Sequence, residues 1–336
     1  MGSKEKSPER PALDTPIFRS ELLRLLKRPR TRSSLTKALG CDKPGLHAAI
    51  VSLRAAGYRV SREGETYCIT RTPGEANRDT PAQLNLTREP LQIGVISDTH
   101  LCSRFAREDV LHRAYGEFKK AGVKTVLHAG NLVDGESRFN RHELLAHGIA
   151  DQTDFALQHY PSIAGISTWF IDGDDHEGWW RQREGLRFGQ YLVQEGVSRG
   201  RTDLRYLGYG EADIKLSGLS RPAVIRVCHP GGGSAYATSY KAQKLVEAMG
   251  PTEKPDVFIV GHYHKMGYFR PRNVHVILAG CCQDQSWFMR KQHIDAQIGF
   301  YIMTLTRDTN GAVIVLDLRM FQFFDRKYHE AKTATL

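Results

Sequence analysis

Two hydrophobic periods divide the chain. In PIFRSELLRLLKR the apolar residues Phe18, Leu22, Leu25 and Leu26 share one helical stripe, and in TRSSLTKALG Leu35 and Leu39 turn inward before Gly40 ends the run. CDKPGLHAAIVSLRAAG aligns Leu46, Ile50 and Leu53 ahead of Gly57, with Asp42 placed to cap the helix and Pro44 in its first turn. YRVSREGETYCIT then alternates as two strands joined across Glu63-Gly64. Residues 1–15 are polar and aperiodic and read as a disordered tail; residues 73–90, rich in Pro, Gly and Asn, read as a linker. From Leu91 the pattern changes to apolar runs of strand length: LQIGVIS, VKTVLHA, GISTWFID, AVIRVCH, DVFIVG, VHVILAG, GFYIMTLT and AVIVLDLRM. With helical segments between them, they predict an α/β domain over residues 91–325 and a short tail at 326–336.

Three helices and a hairpin over residues 16–72 make a winged helix-turn-helix, and their order resembles the small winged-helix domains at the N-termini of bacterial regulators. In that arrangement the third helix enters a DNA major groove and offers Lys43, His47 and Arg54, while Arg59 and Arg62 on the wing meet phosphates. The competing reading is a module that only makes protein contacts. Charge favours nucleic acid: of the net +10, residues 1–90 carry +7, from 17 Lys+Arg against 10 Asp+Glu. At 336 residues the chain suits one large domain plus a small one. No apolar run approaches the roughly 18 to 20 residues that span a bilayer, and the N-terminus lacks the apolar centre of a signal peptide, so a cytoplasmic protein without a membrane partner is expected. The six cysteines (Cys41, Cys68, Cys102, Cys228, Cys281, Cys282) form no CxxC pair, which argues against a zinc knuckle and fits reduced thiols.

Five of the apolar runs end in chemistry: VISDTHL with Asp98 and His100, HAGNLVDG, FIDGDDHEGW, RVCHPGGG with His229, and VFIVGHYHK with His262 and His264. The carboxyl ends of strands are where α/β sheets place their sites. In an extended segment, Asp98 and His100 point to the same side. A lone strand-end histidine is more often structural than a ligand, but five ordered strand ends carrying Asp and His fit a two-metal site. Carboxylates suit hard cations, imidazoles suit Mn, Fe, Ni or Zn, and a metal pair can activate a water against a phosphate.

These residues resemble the calcineurin-like metallophosphoesterase superfamily, whose motifs run D-x-H, G-D-x-x-D, G-N-H-D/E, a later His and G-H-x-H, and which includes double-strand-break repair nucleases. The match covers about Leu91 to Leu318. It implies a four-layer αββα sandwich and two divalent ions, with Mn2+ favoured and Mg2+, Fe2+, Ni2+ or Zn2+ as alternatives. By the same resemblance Asp98, His100 and His264 bind the first metal, and His229 and His262 the second. Asn131 stands where the bridging Asp belongs, Asp175 is the ligand of the third motif, and His176 is the general acid near the leaving oxygen. Asp134 falls beside the ligands. Asp174 is an alternative ligand to Asp175, because Gly173 lies one residue further back than the motif expects. Segments such as GCCQDQSWF and SYKAQK resemble phage and prophage members of the superfamily.

Two exchanges depart from the motifs: an amide replaces the carboxylate at 131, and a carboxylate replaces the amide at 175. Charge cancels, but an amide oxygen is a poor bridge between dications, so weaker metal binding and slow turnover are expected. Asn131 is either an introduced substitution, favoured by the intact Gly130, Asp134 and Gly135, or a natural exchange in which Asp175 shares the bridging role. Just after the catalytic histidine, Trp179, Trp180 and Arg181 combine aromatic rings with a cation, which suits stacking on unpaired bases; a buried tryptophan pair explains them equally well. The three glycines after His229 could approach a phosphate closely.

The expected function is a metal-dependent nuclease acting on DNA. The alternatives are a phosphoesterase for nucleotides or phosphoproteins, and an inactive DNA-binding regulatory protein. Homodimers are common among the related nucleases, although nothing in the sequence marks a dimer surface.

Overall fold

The computed structural model describes residues 16–26, 28–55, 59–71, 77–84, 89–219, 221–233 and 235–326, in two compact units, Met1–Glu75 and Ala76–Leu336. The expected N-terminal tail and all but Arg326 of the C-terminal tail lie outside the described residues.

In the first unit the helices are α1 (Pro16–Leu26), α2 (Arg32–Leu39) and α3 (Lys43–Ala55), and the strands are β1 (Arg30–Thr31), β2 (Arg59–Glu63) and β3 (Thr66–Arg71). All nine apolar residues singled out by helical spacing are buried, packed with Ala49, Val60 and Tyr67. Asp42 accepts the Gly45 N–H at 2.8 Å at the start of α3, and Gly40 ends α2 in the left-handed region at φ 61°. Strand β1 was not legible in the sequence. It is two residues long and exposed, and it exists by antiparallel pairing with β3, Arg30 opposite Tyr67.

The second unit begins with β4 (Asn77–Leu84). This corrects the expected linker: β4 runs parallel to β9 (Glu211–Leu216), with Ala82 beside Ile214 and Leu84 beside Leu216. Ala82 is buried and Gln83 exposed, so a short alternation was present in the sequence. Pro81 is tolerated because β4 is an edge strand. The elements between are β5 (Leu91–Ile96), α4 (Glu108–Ala121), β6 (Thr125–His128), α5 (Gly148–His159), β7 (Ser167–Asp172), α6 (Gly178–Glu184), α7 (Phe188–Ser198) and β8 (Leu204–Tyr209). After β9 come β10 (Ala223–Cys228), α8 (Tyr240–Ala248), β11 (Val257–Val260), β12 (Met266–Phe269), β13 (His275–Ala279), α9 (Trp287–Lys291), β14 (Ile298–Arg307) and β15 (Val313–Phe323).

These strands form two six-stranded sheets, ordered β15-β14-β5-β6-β7-β8 and β12-β13-β11-β10-β9-β4. Strands β5 to β8 are parallel, as are β10, β11 and β13. Period-two alternation sends each strand's apolar residues to both faces. Ile93, Val95, Leu127 and Ile171 of the first sheet meet Ile214, Ile225, Val227 and Ile259 of the second in one core. Val126 and Phe170 face outward onto Leu111, Tyr115 and Phe118 of α4, and Phe258 and Val260 onto Ala242 and Val246 of α8. The architecture is mixed α/β, two sheets face to face with helices outside them, as the motifs implied. No helix among the described residues is long and apolar enough to cross a membrane.

Phe118 shows how tightly the outer layer closes. Its ring is fully buried between Tyr115 and Phe300, at centroid distances of 5.5 and 5.4 Å, and a Cβ added at Gly94 would come within 2.9 Å of it. Phe118→Ala is expected to destabilise the protein by about 3–5 kcal/mol. Urea unfolding measures this directly, and a loss under about 1 kcal/mol would show that the ring does not anchor α4.

Candidate metal centre

Strands β5, β6, β7, β10 and β11 stop at Ile96, His128, Asp172, Cys228 and Val260, and the next few residues of each hold the polar cluster. The expectation that Asp98 and His100 lie in extended chain is corrected here. Both follow the end of β5 and take left-handed backbone angles, φ 51° and 44°. Asn131, His176, His262 and His264 do the same, at φ 54°, 51°, 75° and 52°. Such conformations cost free energy for residues with a Cβ and persist only where surrounding contacts over-determine them. The backbone supplies those contacts: Asp98 N–H donates to the Gly130 carbonyl and His100 N–H to that of Asn131, each at 3.0 Å. Gly130, at φ 92°, is a close approach, since a Cβ there would lie 2.5 Å from His229 Nδ1.

Two groups of ligand-type atoms flank Asn131, Asp98 with His100 and His264, and Asp175 with His229 and His262; a third, His100, Asp134 and His176, shares His100 with the first, and within each the ligand atoms lie within 4.8 Å of one another. In the first, Asp98 Oδ1 lies 3.3 Å from His264 Nε2 and 3.7 Å from His100 Nε2. In the second, Asp175 Oδ1 lies 3.4 Å from His229 Nε2 and Asp175 Oδ2 lies 3.4 Å from His262 Nδ1. Burial alone would raise both carboxyls, but the surrounding imidazoles outweigh it and hold Asp98 and Asp175 well below the ordinary carboxylate range. Asn131 lies between the groups: its Nδ2 donates to Asp98 Oδ1 at 3.4 Å and to Asp175 Oδ1 at 3.2 Å.

Asp134 orients two histidines at once. Its Oδ1 is 2.8 Å from His100 Nδ1 and 3.2 Å from His176 Nδ1, and its backbone carbonyl accepts from His176 Nδ1 at 2.9 Å. Burial would raise this carboxyl too, yet hydrogen bonds from His100 and His176 bring it down to about 2. Burial works in the opposite direction on His176, and the carboxylates of Asp175 and Asp134 overcome it, raising the imidazole to about 10. With Nδ1 committed, Nε2 of His176 faces Asp175 Oδ2 at 4.0 Å, and Trp179 stacks on the ring at 4.8 Å.

The other candidate residues separate. Asp174 is exposed and accepts a hydrogen bond from the Tyr209 hydroxyl, so Asp175 is the third-motif carboxylate that joins the cluster. Trp180 is buried against Phe188, leaving Trp179 as the tryptophan beside His176; the guanidinium of Arg181 lies 3.8 Å over the Tyr209 ring. In the N-terminal unit Lys43, His47 and Arg62 are exposed. The side chains of Arg54 and Arg59 lie outside the described residues.

Sequence reasoning missed Glu177 and Asn140. Glu177 is buried beneath the cluster, and its Oε1 accepts the backbone N–H groups of Asn131 at 2.7 Å and Gly173 at 2.9 Å, tying two motif loops together. Burial and the neighbouring Asp172 carboxyl push it well above the usual range, so it favours the neutral form. The acidic position closing the G-N-H-D/E motif was the signal that could have found it. Asn140, which donates to Asp134 Oδ2 at 3.1 Å, belongs to no motif and left no signal.

The donor set suits divalent metal. His229 Nδ1 donates to the Ala129 carbonyl at 2.6 Å, which turns Nε2 inward as a lone pair, and that buried nitrogen has no hydrogen-bond partner. The buried Asn131 Oδ1 has none either. His100 Nε2 and His264 Nε2 approach to 3.2 Å with His100 Nδ1 already committed to Asp134, a convergence of imidazole nitrogens that a cation would resolve.

Two carboxylate–imidazole groups at the carboxyl ends of paired sheets define a phosphoester hydrolase that uses divalent metal. The model of the calcineurin-like phosphoesterase superfamily domain matches residues 91–294, and the chain belongs to that superfamily. Among solved structures it is similar to an archaeal phosphodiesterase, with 17% identity over 69% of this chain and 100% of that one and a TM-score of 0.36. It is also similar to the phosphoesterase YfcE from E. coli, with 12% identity over 68% and 98% of the two chains and a TM-score of 0.36. A third is Vps29 from Entamoeba histolytica complexed with zinc, with 12% identity over 69% and 99% and a TM-score of 0.34. No curated protein matches the chain.

Glu177 yields a prediction independent of catalysis. Glu177→Gln keeps a neutral acceptor for both N–H groups and is expected to stay within about 1 kcal/mol of the parent, whereas Glu177→Ala strands two buried donors and costs about 2–4 kcal/mol. Chemical denaturation separates the two, and equal losses would refute the acceptor role.

Proposed function

We propose that this chain hydrolyses phosphodiester bonds in nucleic acid, most specifically as a DNA nuclease of the repair-nuclease-like, phage or prophage branch of the superfamily. The observation that carries it is the pairing of a two-group metal centre with a basic N-terminal segment of net +7 over residues 1–90. In this reading residues 16–72 are a winged helix that grips duplex DNA. The exposed Lys43 and His47 of α3 and Arg62 of the hairpin support it, and Arg54 and Arg59 are assigned the same role from sequence. Six cysteines without a CxxC pair fit a cytoplasmic setting.

Asp98, His100 and His264 would hold one divalent ion and Asp175, His229 and His262 a second, with Mn2+ favoured and Asn131 between them. Such ions supply Lewis acidity toward a phosphate oxygen and make a bound water a competent nucleophile at neutral pH. The protein's own part is positional and protic. His229 is locked by Ala129 and His100 by Asp134, so their Nε2 lone pairs face the centre. His176, its Nδ1 held by Asp134, carries a proton on Nε2 toward the departing alkoxide, and the P–O bond breaks as that proton is given up. Trp179, stacked on the same imidazole, offers a face to an unpaired base beside the scissile phosphate, with Arg181 near its backbone.

His176→Ala is expected to lower kcat on DNA about 10²–10⁴-fold with Mn2+ present. Chelation should abolish the activity. Rates on DNA, a generic phosphodiester and a phosphomonoester distinguish a nuclease, which favours DNA and loses rate steeply with salt, from a nucleotide or phosphoprotein phosphoesterase. An inactive regulatory protein would bind DNA and cleave none of the three. Replacing Lys43 and Arg62 with Ala should weaken DNA binding and flatten its salt slope by about two units.

A further inference from the structure

We propose that Asn131 and Asp175 act as one exchanged pair, an amide and a carboxylate that have traded places and together serve both metal groups, so that Asn131 is compensated rather than a defect. The inference rests on the metal-dependent reading above and adds to it which residues form the link. The resemblance implies a carboxylate at position 131 and an amide at position 175, and this chain carries the reverse. Side chains far apart could differ in this way independently, but these touch: Asn131 Nδ2 is 3.2 Å from Asp175 Oδ1.

The geometry gives each partner a distinct task. The two amide hydrogens of Asn131 have separate acceptors, Asp98 Oδ1 in one group and Asp175 Oδ1 in the other, at 3.4 and 3.2 Å. One neutral side chain therefore tethers two carboxylates that otherwise face each other through little but histidine. Asp175 in turn uses both oxygens, Oδ1 toward Asn131 and His229 and Oδ2 toward His262, with His176 Nε2 at 4.0 Å. The negative charge has moved from 131 to 175 without leaving the cluster. A carboxylate introduced at 131 alone would place three acids together without the amide that donates to two of them. An amide introduced at 175 alone would leave Asp98 as the single carboxylate serving both groups. Making both changes restores an amide–carboxylate contact with the direction of donation reversed.

A double-mutant cycle tests the coupling. The parent, Asn131→Asp, Asp175→Asn and the double variant are melted in EDTA and titrated with Mn2+ by calorimetry. In EDTA, Asn131→Asp is expected to lower the melting temperature by about 5 °C, and the double variant to return within about 2 °C of the parent. With Mn2+, Asp175→Asn is expected to lose at least tenfold in affinity for one ion, and the double variant to recover to within about threefold of the parent. If Asn131→Asp does not fold while the double variant does, the coupling is supported. A double variant that melts at the sum of the single shifts, or that also fails to fold, overturns it. The two readings fail separately: coupled melting with no hydrolysis of any phosphoester removes the enzymatic function alone, and additive melting in an active enzyme removes only the pair.

Discussion

Everything at the centre depends on one buried charge. The Asp98 carboxylate is fully excluded from solvent, and an unpaired charge in that position would be intolerable. It is made tolerable by short contacts from several strands: the Ser97 hydroxyl at 2.5 Å, the His262 backbone N–H at 2.9 Å, His264 Nε2 at 3.3 Å and the Asn131 amide at 3.4 Å. Ser97 comes from the end of β5, Asn131 from that of β6, and the histidines from that of β11, which belongs to the other sheet. Holding this carboxylate in place thus requires both sheets to be stacked in register, and the apolar core between them is what does so.

The same contacts account for the backbone. Six site residues other than glycine sit at positive φ, a conformation that local preference opposes. Each lies within a few residues of a strand end, where the chain must reverse while presenting a side chain to the cluster. Glu177 reinforces this by drawing the Asn131 and Gly173 amides onto one buried oxygen, which joins the second and third motif loops. Asp134 does likewise for His100 and His176, joining the two imidazoles through one carboxylate.

Much of this was legible beforehand, for physical reasons that differ by element. The helical stripe through Leu22, Leu26, Leu35 and Leu46 was readable because a small unit has one core and periodicity points at it. The strand ends were readable because buried parallel strands are continuous apolar runs, and the polar residues that interrupt them stand out. Strands β4, β8, β9 and β12 were not seen. Three of them, β4, β8 and β12, lie at sheet edges, and their residues alternate weakly, so their existence rests on the neighbour they pair with.

Residue types and order along the chain determined the α/β class, the five strand ends and the list of ligand-type side chains, because each is written in spacing that local physics can read. Tertiary structure alone decided which of Asp174 and Asp175 faces the cluster, that Trp180 is core while Trp179 stacks on His176, and that Asn131 touches both Asp98 and Asp175. The Asn131 contacts depend on segments more than thirty residues apart meeting at hydrogen-bond distance, and no local periodicity encodes where two such segments meet.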